Sequence, residues 1–431
     1  MKMIENEYKT HKFLKYTDKF LLLLFIIIYS FYGSYDAYAK QNNLSTRKHV
    51  LAISDFYGIK EIGFFIRDTI SKDLIYSDNF KIVSSFKENK KKIGADSVGY
   101  IISGEINRES DNIYNINYQL IDLINKITID NVSFSGSKAE ISNIAHLISD
   151  RIFRKITGEK GIFSTKIASV LHKNETEIFE LVISDYNYKN QQIALRSKEP
   201  IISLAWSPDG SKIAYSSFES GRPIIYIHNI STGERKIMAD YNGSNSSPTW
   251  SPDGLKIAAT LTKNGLSQIY IIDVNSKNIH PFISSYSSDT EAVFTKDGKS
   301  MIFNSDRSGT YQIYKSDING LKVKRITFNG EYNGSPKISP DSSKLLYVKN
   351  KDDTFHIAYL NMILNTELVI TDGDNDCSPC FSPNGNEIIY ISNKNNYRAI
   401  EKVNLIDGSS NQIYIDADSS IIEIAWGPFI E

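Results

Sequence analysis

Five short phrases of this chain place an aspartate or asparagine at one recurring position. They are LAWSPDGSKIAYSS with Asp209, PTWSPDGLKIAATL with Asp253, AVFTKDGKSMIFNS with Asp297, PKISPDSSKLLYVK with Asp341 and PCFSPNGNEIIYIS with Asn384. A repeated carboxylate could serve acid–base chemistry. The residues around it suit a corner better, because proline fixes its own φ, aspartate bonds its own backbone and glycine accepts positive φ without steric cost. The acid becomes Asn384 and the glycine becomes Ser342 without disturbing the phrase. Asp209, Asp253, Asp297, Asp341 and Asn384 are therefore read as structural turn residues.

Cys377 and Cys380 have the C-x-x-C spacing of a redox pair. They fall on the first strand of a repeat, matching Ser246 and Thr249, where positions three apart point to opposite faces. No βαβ unit lies beside them, and whether they form a disulfide stays open. Asp372 to Asp376, DGDND, offers alternate carboxylates that suit a hard cation such as calcium. The same place in other repeats reads YNGSNSSP and FNGEYNGSP, a plain polar loop, so an acidic turn is expected and a cation there stays open. His11, His49, His146, His172, His228, His280 and His356 are scattered, without H-E-x-x-H or other ligand spacing. His146 and Asp150 lie one helical turn apart and read as a surface pair. No G-x-S-x-G nucleophile elbow occurs, which argues against the peptidases that carry propellers with similar turns. Dinucleotide and phosphate loops are also missing. No catalytic residue, metal site or cofactor is expected, and the chain reads as a non-enzyme.

These groups must be positioned by elements that the rest of the sequence defines. The chain has 431 residues, 41% hydrophobic and 23% charged, with a net charge of -1. That is the make-up of a folded protein of about two domains, and it lacks the basic footprint of a nucleic-acid binder. Phe20 to Tyr32, FLLLLFIIIYSFY, is an apolar run followed by AYA at Ala37 to Ala39. It is shorter than the roughly 20 residues of a spanning helix and matches a secretory signal peptide cleaved after Ala39. Export without membrane insertion follows. Two cysteines are too few for a disulfide framework.

Trp206, Trp250, Phe294, Ile338, Phe381 and Trp426 stand before successive turns at spacings of 44, 44, 44, 43 and 45. Such a period in strand-rich sequence marks propeller blades. Within one period, strands are expected at 203–206, 212–216, 223–228 and 235–239. Second-strand elements begin at Lys166, Lys212, Lys256, Ser300, Lys344 and Glu387, while first-strand elements run from 203–206 to Ile422–Trp426. The array opens with a second strand and closes with a first one. Pairing the last against the first completes a sixth blade and leaves no free edge at the seam. Tyr226, Tyr270 and Tyr314 recur on third strands and are expected to pack between blades.

Residues 48 to about 158 do not follow the period. A strand is expected from His49 and a helix over Glu61 to Ile75, with Ile62, Phe65, Ile66 and Ile70 on one side. Tyr114, Ile116, Tyr118 and Leu120 alternate with polar residues as in a half-buried strand, and Ile127 to Phe134 follows as its hairpin partner. The helix Glu140 to Ile156 carries Ile141, Ile144, Ile148, Ile152 and Ile156 on one stripe. The expected architecture is an α+β N-terminal domain followed by an all-β six-bladed propeller. Its parts are a signal peptide at 1–39, a flexible arm at 40–47, the α+β domain at 48–160 and the propeller at 161–431.

LISDRIFRKITGEKGIFSTKIASV at Leu147 to Val170, NSDRSGTYQIY at Asn304 to Tyr314, SSPTWSPDGLKIA and the terminal IAWGPF together resemble the TolB family of the Tol-Pal system. The resemblance implies a periplasmic scaffold that binds the peptidoglycan-associated lipoprotein Pal through a propeller face. It also implies that the arm, here Lys40, Gln41, Asn42, Asn43, Leu44, Ser45 and Thr46, contacts TolA. Other envelope proteins are further possible partners, and the family supports outer membrane integrity and cell division. The alternative from the residues alone is a solute- or glycan-binding propeller with a ligand in its central channel.

Overall fold

The computed structural model describes residues 48–83, 98–263, 265–394 and 397–430. The expected signal segment 1–39 and the arm Lys40 to Thr46 lie outside the described residues. The chain divides into two compact units between Ala145 and His146. Among the described residues no helix is long and apolar enough to cross a membrane.

In the first unit the elements are β1 (His49–Ile53), β2 (Tyr57–Gly58), α1 (Lys60–Tyr76), β3 (Phe80–Val83), β4 (Tyr100–Arg108), β5 (Ile113–Asp122) and β6 (Ile127–Ser137). A short 3-10 turn, Lys138–Glu140, then leads into α2 (Ile141–Thr157), within which the two units meet in sequence. The sheet runs β3-β1-β4-β5-β6, with β1 parallel to both neighbours and β4, β5 and β6 antiparallel. Alternation on β5 buries Ile116, Tyr118 and Leu120 completely, as period-two patterning requires. On α1 the buried stripe is Ile62, Ile66, Ile70 and Leu74. Each such side chain contributes about 1.5–3 kcal/mol through burial. Phe65, expected on that stripe, is instead exposed together with Phe64. It follows Phe64 and precedes Ile66 by about 100° of helical rotation, which turns it off the face. Sequence patterning also missed β2, whose Gly58 has φ 97° and leaves only 2.1 Å between an added Cβ and the Ile106 carbonyl oxygen.

The second unit is a closed ring of six four-stranded antiparallel sheets. Blade 1 consists of Ile201–Trp206, Lys212–Ser217, Ile224–Asn229 and Arg235–Ala239, within a residue or two of the expected strands. Blades 2 to 5 begin with Asn245–Trp250, Asp289–Phe294, Asn333–Ile338 and Cys377–Phe381. Blade 6 joins both parts of the chain: Ser419–Trp426 pairs with Lys166–Lys173, which continues to Ile178–Asp185 and Gln192–Ser197. Each first strand touches the first strands of both neighbouring blades, so these six strands form the inner wall. Apolar side chains fill the spaces between sheets. Met301, Phe303 and Ile269 meet between blades 2 and 3, while Leu346, Ile357 and Ile388 meet between blades 4 and 5.

Two tryptophans lock successive blades together. Trp250 Nε1 donates to the Ala205 carbonyl at 3.1 Å, and Trp206 Nε1 to that of Ala425 at 3.0 Å. The third-strand tyrosines meet cations: Arg235 lies 4.4 Å from the Tyr226 ring centre, Lys263 5.1 Å from Tyr270 and Arg307 5.1 Å from Tyr314. Such contacts add to packing.

Candidate functional site

The repeated turn acids are engaged within their own turns. In blade 2, Ser251 Oγ donates to Asp253 Oδ1 at 2.5 Å and the Leu255 N–H to the same atom at 3.0 Å. The Ser251 oxygen in turn accepts the Lys256 N–H at 2.9 Å. Asp209, Asp297 and Asp341 repeat this with Ser207, Thr295 and Ser339, and Asn384 with Ser382. Burial pushes the Asp209 carboxyl up, but donors from Ser207 and Ser211 outweigh it and hold the group at about 2. Asp341 is held at about 2 by Ser339 and Ser343 against the same burial effect. Where glycine is replaced, Ser342 takes the left-handed backbone itself at φ 60°.

His146 and Asp150 do not form the surface pair that their spacing suggested. His146 is buried, with Nε2 3.4 Å from Asp185 Oδ2. Asp150 accepts the N–H groups of Phe163 at 2.8 Å and Ser164 at 3.0 Å. The helix face is covered by the start of the propeller chain, which spacing along one helix cannot reveal. Burial pushes Asp185 up, yet His146 and Lys166 together bring it down to about 2.

Cys377 and Cys380 are free thiols. A bulge between them pairs Cys377 with Ile391 and Cys380 with Ile389. Ile389 and Ile391 share a face, so the cysteines share it too, contrary to the plain alternation expected of them. Burial pushes the Cys380 thiol up to about 12, which disfavours the thiolate needed for exchange. In DGDND only Asp376 among the three acids is buried. Among the described residues, no group of three or more His, Cys, Asp or Glu is placed to hold a metal.

The feature that sequence reading missed lies on the inner wall. Every first strand carries a register shift. Ser203, Ser247, Glu291, Ser335 and Ser378 adopt φ between 50° and 60° at five of these bulges. A non-glycine residue held there costs on the order of 1 kcal/mol. Counting back three positions from the repeat anchors would have found the set: Ser203, Ser247, Glu291, Ser335, Ser378 and Glu423. The two acids belong to blades 3 and 6, opposite each other in a six-bladed ring.

Both acids reach to the next blade. Glu291 Oε2 accepts the Ser335 N–H at 2.8 Å and Asn304 Nδ2 at 2.6 Å. Glu423 accepts the Ser203 N–H at 3.3 Å and Ser378 Oγ at 3.4 Å. Water reaches part of Glu423, but its carboxyl lies deep enough that burial pushes it above the ordinary carboxylate range. Lys337 opposes that shift and Glu291 adds to it.

Next to Glu291 a polar cleft of 260 Å³ opens between blades 2 and 3. Ser247, Thr260, Glu291, Asn304, Tyr311 and Tyr332 line it. The Tyr311 and Tyr332 rings meet edge to face at 6.2 Å. Burial, with Glu291 and Tyr311 nearby, pushes the Tyr332 phenol up to about 12, so it stays a neutral donor. Asn304 Oδ1 is buried with no hydrogen-bond partner among the described residues. At the same end of the blades, Tyr286 and Phe328 in the connections flanking blade 3 are strongly exposed. Chemically, the mouth offers oxygen acceptors, neutral hydroxyls and aromatic faces.

Comparison with known proteins agrees with this architecture. The family model PD40, the TolB beta propeller domain, matches residues 153–430. The Tol-Pal system protein TolB of Bordetella pertussis is 42% identical over 211 residues, covering 46% of this chain and 47% of that protein. Its counterpart in Polaromonas sp. is 37% identical over 208 residues, covering 46% and 48%. In these alignments the chain spans about half the length of the curated relatives it matches. The crystal structure of TolB from Acinetobacter baumannii is similar over 89% of this chain and 97% of that one, with 30% identity and a TM-score of 0.75. With a family model covering most of the ring and a solved relative matched along nearly its whole length, the chain belongs to the TolB family.

Proposed function

We propose that this chain acts in the periplasm as a non-enzymatic scaffold of the Tol-Pal system. It docks Pal at the ring mouth beside blades 2 and 3 and contacts TolA through the arm Lys40 to Thr46, in support of outer membrane integrity and cell division. The observation that carries the Pal contact is the mouth itself, where Glu291, Tyr311 and Tyr332 line a polar cleft near exposed Tyr286 and Phe328. A carboxylate and neutral hydroxyls held on a rigid wall at a concave mouth are pre-organised to meet donors and acceptors from a partner. Reversible docking of this kind buries roughly 1,200–2,000 Å² in total. Membership of the TolB family, whose curated members are named for the Tol-Pal system, supports the choice of partner.

Calorimetric titration of the purified protein with the soluble domain of the cognate Pal tests this reading. Saturable one-to-one binding is expected, weakened roughly tenfold or more by Glu291→Lys through charge reversal at the mouth. Deleting Lys40 to Thr46 is expected to strengthen Pal binding if the arm opposes that partner. No heat and no co-migration on a sizing column would remove Pal as partner. The hydroxyl lining and paired tyrosines favour one second reading, a glycan ligand in the same cleft, which titration with soluble peptidoglycan fragments would detect.

A further inference from the structure

The hairpins that join the third and fourth strands of blades 1 to 5 are built with one device. They follow Asn229, Asp273, Asp317, Asn361 and Asn404, and a side-chain oxygen of each of these residues accepts an N–H from the hairpin tip. The donors are Ser231 at 3.1 Å, Ser276 at 2.7 Å, Leu321 at 2.8 Å, Ile363 at 3.0 Å and Ile406 at 2.8 Å. Surface turns of this kind favour polar residues and glycine. Blades 1 and 2 follow that preference with Ser231, Thr232, Asn275 and Ser276.

Blades 3, 4 and 5 depart from it. Leu321 is 79% exposed, Ile363 78%, Leu364 70% and Ile406 70%. The turns do not need these side chains, because the bond uses the backbone N–H and the polar tips of blades 1 and 2 make it equally well. The core does not need them either at such exposure. The tip of blade 3 is also held in place: Gly320 has φ 74°, and a Cβ added there would lie 2.5 Å from the Phe282 carbonyl oxygen. First and third strands run the same way in an antiparallel blade, so the turn after the first strand lies at this end too. In blade 3 the two connections expose Lys296, Lys299, Lys322 and Lys324. The acids among them are engaged by their own turns, Asp297 by the Lys299 N–H at 3.0 Å and Asp317 by that of Leu321. A locally basic rim thus borders aliphatic tips on a chain whose net charge is -1.

We propose that this end of blades 3 to 5 is a peripheral docking surface for an anionic phospholipid bilayer. Exposed apolar side chains rimmed by polar ones mark interaction sites, and the lysines supply the charge that complements anionic headgroups. Aliphatic tips carried on separate turns suit a fluid interface that accommodates each one, whereas a protein partner packs best on one continuous complementary patch. Leu321, Ile363, Leu364 and Ile406 would enter the boundary between headgroups and acyl chains while the rest of the protein stays outside it. The mouth beside Glu291 lies at the other end of the blades, with the connections that carry Tyr286 and Phe328. A ring docked in this way leaves that mouth open.

Co-sedimentation with vesicles tests the proposal. The form to use is Lys40 to Glu431, which keeps every described residue and omits the apolar run Phe20 to Tyr32, itself a source of vesicle binding. Binding is expected to phosphatidylethanolamine vesicles that contain phosphatidylglycerol, to weaken as salt is raised, and to be slight with phosphatidylcholine alone. Ile363→Ser with Leu364→Thr gives blade 4 the tip that blade 1 already carries, so this variant should keep the wild-type Tm and bind roughly tenfold less. Lys322→Glu with Lys324→Glu should also keep its Tm and lose most of the preference for anionic vesicles. Wild-type protein that stays in the supernatant at low salt overturns the proposal and leaves the tips to a protein partner. Wild-type affinity in both variants overturns it as well, since the lipid contact would then lie elsewhere on the chain.

Discussion

Blade 3 and blade 6 share a four-stranded plan but are assembled differently. Blade 3 is cut from one continuous stretch, Asp289 to Arg325, and its strands pair through local turns. Blade 6 pairs Ser419 with Lys173 and Trp426 with Ile167, across most of the ring's sequence. The closing bonds are specific: Trp426 Nε1 donates to Thr165 Oγ1 at 3.0 Å and the Gly427 N–H to the Lys166 carbonyl at 2.7 Å. Loop-closure entropy grows only with the logarithm of loop length, so closing a loop this long costs about 3 kcal/mol more than closing a tight turn. The composite blade therefore removes two exposed edges at modest expense in chain freedom, and it couples both ends of the array.

The largest expected effect comes from breaking that closure. Ending the chain after Ser420 removes Ile421, Ile424 and Trp426, all buried, and uncovers the edge of Lys166–Lys173. The product should lose cooperative unfolding and aggregate on a sizing column; a monomer with a single sharp transition would show that the seam does not hold the ring. Next in size is Phe303→Ala in blade 3, which empties a fully buried ring position. It should cost about 3–5 kcal/mol in denaturant titrations, with a loss under 1 kcal/mol ruling out a tightly packed blade.

A finer comparison sets Trp426→Phe against Trp250→Phe. Each removes one indole bond, but the seam bond is buried and the bond to Ala205 only partly so. The expected losses are about 1–3 and about 0.5–1.5 kcal/mol; equal losses would make the seam an ordinary boundary. The smallest effect concerns acid. The Asp209 and Asp341 carboxyls lie lower when folded than their ordinary value of 3.8. Their contribution is therefore present above about pH 4 and lost as pH falls towards 2. Both face water, so the effect is modest. Asp209→Asn, imitating Asn384, should flatten the fall in urea midpoint between pH 4 and pH 2.5, and an unchanged slope would count against the turn bonds as its source.

Much of this architecture was legible because its causes are local. The turn at Asp253 needs Ser251 and Leu255, both within two residues, so a phrase of sequence contains the whole interaction. The stripe of Ile141, Ile144, Ile148 and Ile152 on α2 follows from helical period alone. Phe65 failed as a core residue because it sits at the edge of its stripe. Glu291 and Glu423 stood in plain view at a repeat position, but nothing short of the bulged inner strands shows that this position faces the axis.

By itself the sequence determined the blade count and the order of strands, since apolar period and turn chemistry act between near neighbours, and it determined the closure because the array opens with a second strand and ends with a first one. The tertiary structure decided what meets across blades. It buried His146 against Asp185 and turned Cys377 and Cys380 to one face through a bulge. Those outcomes depend on register and on contacts between distant segments, where one inserted residue reverses which way a side chain points.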